Sequence, residues 1–175
     1  ASASLMFGVP IEQVTKGSDL RQRGKTAELA LGYEGSVNAM EKMDKEKKLS
    51  KKEMYSIVAL WRRANPKIVE FWAEVNEKAI ECVQTRKTKK VSCLVFEHDG
   101  TNLTIALPAG RKLYYRNPRV RPNRFGQIGI VYDGMVQSVG WTEVETYGGK
   151  LVENIVQAIS RDLLAEAMYR LSITK

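Results

Sequence analysis

The spacing of apolar residues changes character twice along the chain. As far as residue 86 apolar positions recur at helical intervals, from Val91 to Val144 they alternate with polar ones, and from 150 to 171 the helical interval returns. Residues 1–7 predict the end of a helix closed by Gly8 and Pro10, and "PIEQVTKG" a short helical turn. Ser18 and Asp19 are good N-caps for a run of helix formers that lasts to Leu31, where Gly32 and Gly35 end it. A second helix is predicted from Ser36 to Met43, followed by "DKEKKLS" as a solvated connector. Ser50 and Glu53 have the spacing of a capping box, and Asn65-Pro66 pairs an N-cap with proline at the first helical position. Two consecutive helices are therefore expected near 50–64 and 66–86, with Trp61, Phe71 and Trp72 as their core contacts.

The alternating stretch is rich in β-branched and aromatic residues, and its "HDG" and "YDG" triplets read as hairpin turns. In the last helix Leu151, Ile155, Ala158, Leu163, Ala167 and Leu171 form one apolar side. Helices, then an antiparallel sheet, then one long helix make an α+β protein, and the order excludes a doubly wound parallel sheet.

Charge narrows the partner. Twenty-eight Lys and Arg against twenty Asp and Glu leave +8 on 175 residues, which favours a polyanion. No run of eighteen apolar residues and no signal-like start is present, so nucleic acid outranks membrane and a cytoplasmic protein is expected. Cys82 and Cys93 lack metal-ligand spacing and His98 is the one histidine, in "EHDG", which reads as a surface turn; neither a zinc site nor a disulfide scaffold is supported. The chain starts without Met or a helix cap and stops within a helical pattern, as expected of a piece of a longer protein.

Within "RQRGKTAELALGYEGS", Arg21, Lys25, Leu29 and Tyr33 are spaced four apart, and a helix would present them as a slanted row that begins basic and ends aromatic. Arginine and lysine one turn apart near a helix N-terminus can grip a triphosphate, arginine in a bidentate way and lysine as a point charge that can protonate a leaving group. The same spacing also describes a basic helix face that meets only water, and both readings stand on spacing alone. Acidic pairs that might hold metal ions, Asp162 with Glu166, Glu97 with Asp99 and Glu143 with Glu145, carry no mark of ligands, and no metal site is expected.

Arg21-x3-Lys25-x7-Tyr33 resembles the fingers-helix motif of the family A (polymerase I-like) DNA polymerases, and "GKTAELALGYEGSVNAM" is similar to the bacteriophage-type branch. The resemblance continues in order through "ALWRRANPKIVEFW", "LPAGRKLYYRNP" and "ETYGGKLVENIVQAISRDLLAEAM". It implies a mainly helical fingers region over 1–88 with its nucleotide-binding helix at 18–32, a small antiparallel β region over 89–145, and a helix of the palm over 146–175. It further implies that Arg21 and Lys25 bind the phosphates of an incoming deoxynucleoside triphosphate, that Lys25 protonates the pyrophosphate, and that Tyr33 sits beside the templating base. Leu29 stands where such enzymes carry Phe or Tyr, and Glu34 where glycine often follows the tyrosine. Gln157, Asn154 and Arg111 match duplex contacts, and Arg116, Arg119, Arg121 and Arg124 read equally as phosphate contacts or surface charge.

The family's two metal-binding aspartate motifs match nothing in the chain. The resemblance thus implies Mg2+ in the intact parent, none held by this piece alone, and no polymerase activity from the piece. Its implied partners are primer–template DNA, deoxynucleoside triphosphates and the remaining palm and thumb; an uncovered helix face would make it self-associate. The rival expectation is a non-enzymatic basic nucleic-acid-binding module, with salt-dependent affinity for any duplex and no preference for triphosphates.

Overall fold

The computed structural model describes residues 2–44, 49–123 and 126–173. The chain is α+β: helices α1 (Ser2–Phe7), α2 (Asp19–Leu31), α3 (Val37–Met43), α4 (Lys51–Ala64) and α5 (Pro66–Thr85), six strands, and a long last helix α6 (Gly148–Ile173), with a 3-10 turn at Ile11–Gln13. Two compact units divide it, Ala1–Trp72 and Ala73–Lys175.

In the first unit α2 and α4 begin where their capping chemistry is, whereas Ser36 before α3 makes no side-chain cap bond. The Ser18 hydroxyl accepts from the Arg21 amide at 3.3 Å and opens α2. Ser50 and Glu53 form the full capping box at α4, the Ser50 hydroxyl accepting from the Glu53 amide and the Glu53 carboxylate accepting from the Ser50 amide. That arrangement holds the Glu53 carboxyl below the usual range, through Ser50 first and then Arg23. Helix α4 buries Met54, Ile57, Val58 and Trp61, a stripe at helical spacing. Trp61 stacks on Trp72 with centroids 5.7 Å apart and planes at 7°. Phe71 beside it is only half-buried.

Asn65 stands directly before α5, where the Asn65-Pro66 pair puts it, and serves α4 as well. It closes α4, its side-chain amide donating to the Trp61 carbonyl at 2.9 Å. The same side chain faces back along the helix it ends, and its own carbonyl receives the first amides of α5, from Ile68 and Val69.

The second unit carries one antiparallel sheet in simple meander order: β1 (Lys89–Val91), β2 (Leu94–His98), β3 (Asn102–Ala106), β4 (Lys112–Pro122), β5 (Ile128–Val136) and β6 (Gly140–Thr146). Register pairs Phe96 with Ile105, Ile105 with Leu113 and Leu103 with Tyr115, so these side chains share one face, and most of them are buried. The first hairpin turns at Ser92 and Cys93, where Ser92 adopts φ 52° and Cys93 is exposed; the alternation through "VSCLVF" concealed this turn.

The "HDG" turn is real, built on the Asp99 carboxylate, which accepts from the amides of Thr101 and Asn102 at 2.9 and 2.6 Å. These bonds, with the Asn102 side chain foremost, draw its carboxyl down to about 2. His98 belongs to the same turn, its Nδ1 accepting from the Gly100 amide. The "YDG" reading fails: Tyr132, Asp133 and Gly134 lie inside β5, opposite Val144, Glu143 and Thr142. Asp133 is held there by Asn117 at 3.0 Å and Arg119 at 2.8 Å, so its carboxylate has cross-strand partners and the chain has no cause to turn. The turn comes later, at 137–139.

Strand β4 bends at Asn117-Pro118, where the register slips between Arg116 and Arg119. Asn117 takes φ 49°, and proline, lacking an amide hydrogen, follows at the irregularity where no ladder bond is forfeited. Helix α6 buries Leu151, Val152, Ile155 and Ala158 in its first half. The second half of the expected apolar side, Leu163 and Leu171, is exposed.

Gly35 shows the tightest backbone fit. A Cβ there would lie 1.7 Å from the Ala30 carbonyl oxygen. Gly35→Ala is expected to destabilise the protein by about 3 kcal/mol. Gly8→Ala, at φ 64° in open space, should cost about 1 kcal/mol. Urea unfolding of both variants checks the ranking, and equal losses would contradict it.

Candidate functional site

Helix α2 cannot rotate freely about its axis. Gly24, between Arg23 and Lys25, lies so close to α1 that a Cβ would stand 2.5 Å from the Ala3 Cβ, and Ala27, Ala30 and Leu31 continue the buried side. Packing of that side leaves Arg21, Lys25 and Leu29 pointing to solvent, Leu29 at 60% exposure. Arg23, on the flank, is spoken for by Asp19 at 2.7 Å and Glu53 at 3.2 Å. Arg21 and Lys25 have no carboxylate at ion-pair distance among the described residues. Two cations one turn apart are therefore presented without neutralisation, next to a helix start.

Tyr33 departs from the expected row. Helix α2 ends at Leu31 with Gly32 as its C-cap, so Tyr33 stands half-buried in the following turn and not on a further helical step. Glu34 next to it adopts φ 64°, a left-handed conformation that glycine takes more readily.

The other predicted residues come together in the second unit. Arg111, Asn154 and Gln157 line one groove of about 390 Å3 between β4 and α6, along with Tyr114, Tyr132 and Arg161. Their side chains are differently engaged. Arg111 donates to Asp162 Oδ1 at 2.9 Å and to the Ala158 carbonyl at 3.0 Å, pinning the start of β4 to α6. Asn154 donates to the Tyr115 hydroxyl at 3.0 Å. Gln157 reaches only Glu153, one turn back, at 3.3 Å, and stays exposed. Its amide is one readily available hydrogen-bonding group of the groove, beside Arg161 and the exposed Tyr114.

Among the arginines of the β4 segment, Arg119 is bound to Asp133 and Glu143 and Arg121 to Glu143, while Arg116 lacks an ion pair among the described residues. Arg124 lies outside the described residues. Asp162 pairs with Arg111 across the fold, not with Arg161 or Arg170 on its own helix, whereas Glu166 does pair with Arg170. Among the described residues no three His, Cys, Asp or Glu side chains cluster as a metal site. No helix among the described residues is long and apolar enough to cross a membrane. Tyr115 and the Arg111–Asp162 link had no signal in the sequence, because each depends on a partner about forty residues or more away.

The arrangement is that of an α+β chain with a basic helix row and a polar helix–sheet groove. Over 174 residues, 98% of its length, the chain is 47% identical to a DNA polymerase of Bacillus phage SP02, and it spans 27% of that protein. No family model and no solved structure matches the chain.

The Tyr115 phenol titrates unusually. Burial, only partly offset by the Asn154 bond, pushes it up to about 12, and Tyr132 meets its ring edge-on at 5.1 Å. A raised value in the folded state means stability is fully present below the ordinary tyrosine value of about 10 and is lost as pH rises toward about 12. Urea midpoints stepped through this range should fall, and fall less in Tyr115→Phe; equal slopes would refute the assignment.

Proposed function

We propose that this chain is part of a phage-type, family A DNA polymerase: the fingers over 1–88, with the incoming deoxynucleoside triphosphate held on α2, a β region over 89–145 and a palm helix over 146–175 that meets primer–template DNA. The observation that carries the reading is the exposed, unpaired Arg21 and Lys25 one turn apart on α2, in a chain 47% identical over its length to a DNA polymerase.

Arg21 grips phosphate oxygens through its planar fork and Lys25 adds a point charge that can give a proton to the departing pyrophosphate. Leu29, the next exposed residue of the row, offers apolar contact to the sugar where an aromatic ring would stack, and Tyr33 meets the templating base from the turn after α2. Gln157 reaches the minor groove of the primer–template, where acceptors common to all four base pairs permit a check of shape without a reading of sequence. Asn154 supports that glutamine by fixing α6 on Tyr115, and Arg111 does so through Asp162 and Ala158.

Joining a primer 3′ hydroxyl to the nucleotide is chemistry in which two Mg2+ ions stabilise the attacking and leaving oxygens. Their carboxylate ligands are assigned to parts of the polymerase outside this chain, and this chain supplies binding and orientation. The cytoplasm of the infected cell is the fitting location.

Titration of the chain with a deoxynucleoside triphosphate tests the row. Arg21→Ala and Lys25→Ala are each expected to weaken binding about tenfold, the loss of one charge-assisted hydrogen bond. Primer extension by the chain with magnesium should be nil. Binding that ignores both substitutions would reduce the row to a solvated face and favour a basic nucleic-acid-binding module, and robust extension would overturn the assignment of the ion ligands.

A further inference from the structure

The β5–β6 hairpin carries a surface that neither the triphosphate row nor the α6 groove uses. Trp141 is 64% exposed on β6, opposite Met135 of β5, whereas Trp61 and Trp72 are buried against each other. Its ring borders a groove of about 570 Å3 whose other walls include Arg116, Asp133 and Glu143. Register explains the gathering: Asp133 pairs with both Arg116 and Glu143, and Trp141 precedes Glu143 by two on the same face.

The charges in the groove are unequal in availability. Glu143 is held by Arg119 and Arg121, and Asp133 by Arg119 and Asn117, so both carboxylates are neutralised where they stand. Arg116 stands across from Asp133 and its charge helps to lower that carboxyl, but it has no ion pair among the described residues; with both carboxylates already bonded to Arg119 or Arg121, Arg116 is the positive charge in excess beside an exposed aromatic ring.

We propose that this groove is a stacking site for an unpaired DNA strand, with a base on the Trp141 ring and a neighbouring phosphate on Arg116. An indole held on a strand of a regular sheet is a fixed flat surface, and every base has a π-face to lay on it. Away from its two ends a duplex keeps its bases stacked on each other and offers none. The choice of DNA rests on the polymerase reading above, but the geometry does not depend on the α2 row.

Trp61 and Trp72 are buried and Trp141 is exposed, so a strand on the groove can quench the Trp141 share of the emission, and Trp141→Phe gives the background from the other two. A short oligodeoxythymidine is titrated into the chain while emission and the anisotropy of a dye on the strand are followed. Wild type, Trp141→Phe, Trp141→Ala and Arg116→Ala are compared, with a blunt duplex as the second ligand. The strand should quench emission and the duplex should not. Trp141→Ala should bind the strand about tenfold more weakly and Trp141→Phe should keep most of the affinity. Arg116→Ala should weaken binding and flatten its salt dependence by about one phosphate contact.

Strand binding without quenching, unchanged affinity in Trp141→Ala, or no strand binding at all would overturn the proposal, the last being also what a groove that docks a protein would give. Should the alanine variant misfold by circular dichroism, wild-type quenching and the phenylalanine variant still decide. The triphosphate titration of the Arg21 and Lys25 variants stands apart, so loss of the Trp141 site and loss of the polymerase reading give different results.

Discussion

The first unit depends on what Trp61 does with both ends of its indole. The ring stacks on Trp72 inside the helical core, and its Nε1 donates to Glu28 of α2 at 3.1 Å. One side chain thus ties α4 and the start of α5 to the helix that displays Arg21 and Lys25. Burial of so large a ring contributes more than any single polar contact in this unit, and the hydrogen bond adds direction to it. Glu28 lies three residues beyond Lys25 on the same helix, so the bond fixes the rotation of α2 from one side while the close approach at Gly24 fixes it from the other. With both constraints in place, the cations have one direction to face.

In the second unit the corresponding constraint is register. A meander has no crossovers to correct an error, so a slip of one residue would turn every buried side chain of a strand to solvent. The bulge at Asn117-Pro118 is tolerated because Arg119 then reaches both Asp133 and Glu143, one guanidinium spanning two strands beyond its own. Exposed ion pairs of this kind contribute little to stability individually, but a shared guanidinium specifies which strands sit side by side.

Local chemistry was the legible part of the sequence. Ser18, Ser50 with Glu53, and the Asp99 turn all work through atoms within a few residues of each other, and each is where its spacing put it. "YDG" carried the same local signal and was wrong, since the Asp133 carboxylate is satisfied by Arg119 and Asn117 from the neighbouring strand, contacts that no window of sequence contains. Asn65 was legible in place, directly before Pro66 and α5, but not in its second role: its side chain closes α4, and composition cannot say which of two helices a side chain between them serves. Of the candidate site, the outward row of α2 was readable up to the point where the helix stops, which placed Tyr33 one step too far along it. The β4–α6 groove could be anticipated only as separate residues, since its walls come from elements some forty residues apart.

A net charge of +8 is a poor guide to where a polyanion binds, because most of the conspicuous arginines are already occupied. Arg23, Arg111, Arg119 and Arg121 each face a carboxylate, and using any of them on phosphate would mean breaking that pair first. Arg21 and Lys25 face none at ion-pair distance among the described residues, and Arg116, though it stands across from Asp133, forms no ion pair with it, so a phosphate can be met at a smaller cost. Binding is a difference in free energy between the paired and the free state of each cation, and pairing within the fold removes most of that difference before any ligand arrives. The cations best placed for binding are therefore among those the fold leaves without a carboxylate bond, and two such places have an exposed apolar or aromatic neighbour: Leu29 by the α2 row, and Trp141 by Arg116.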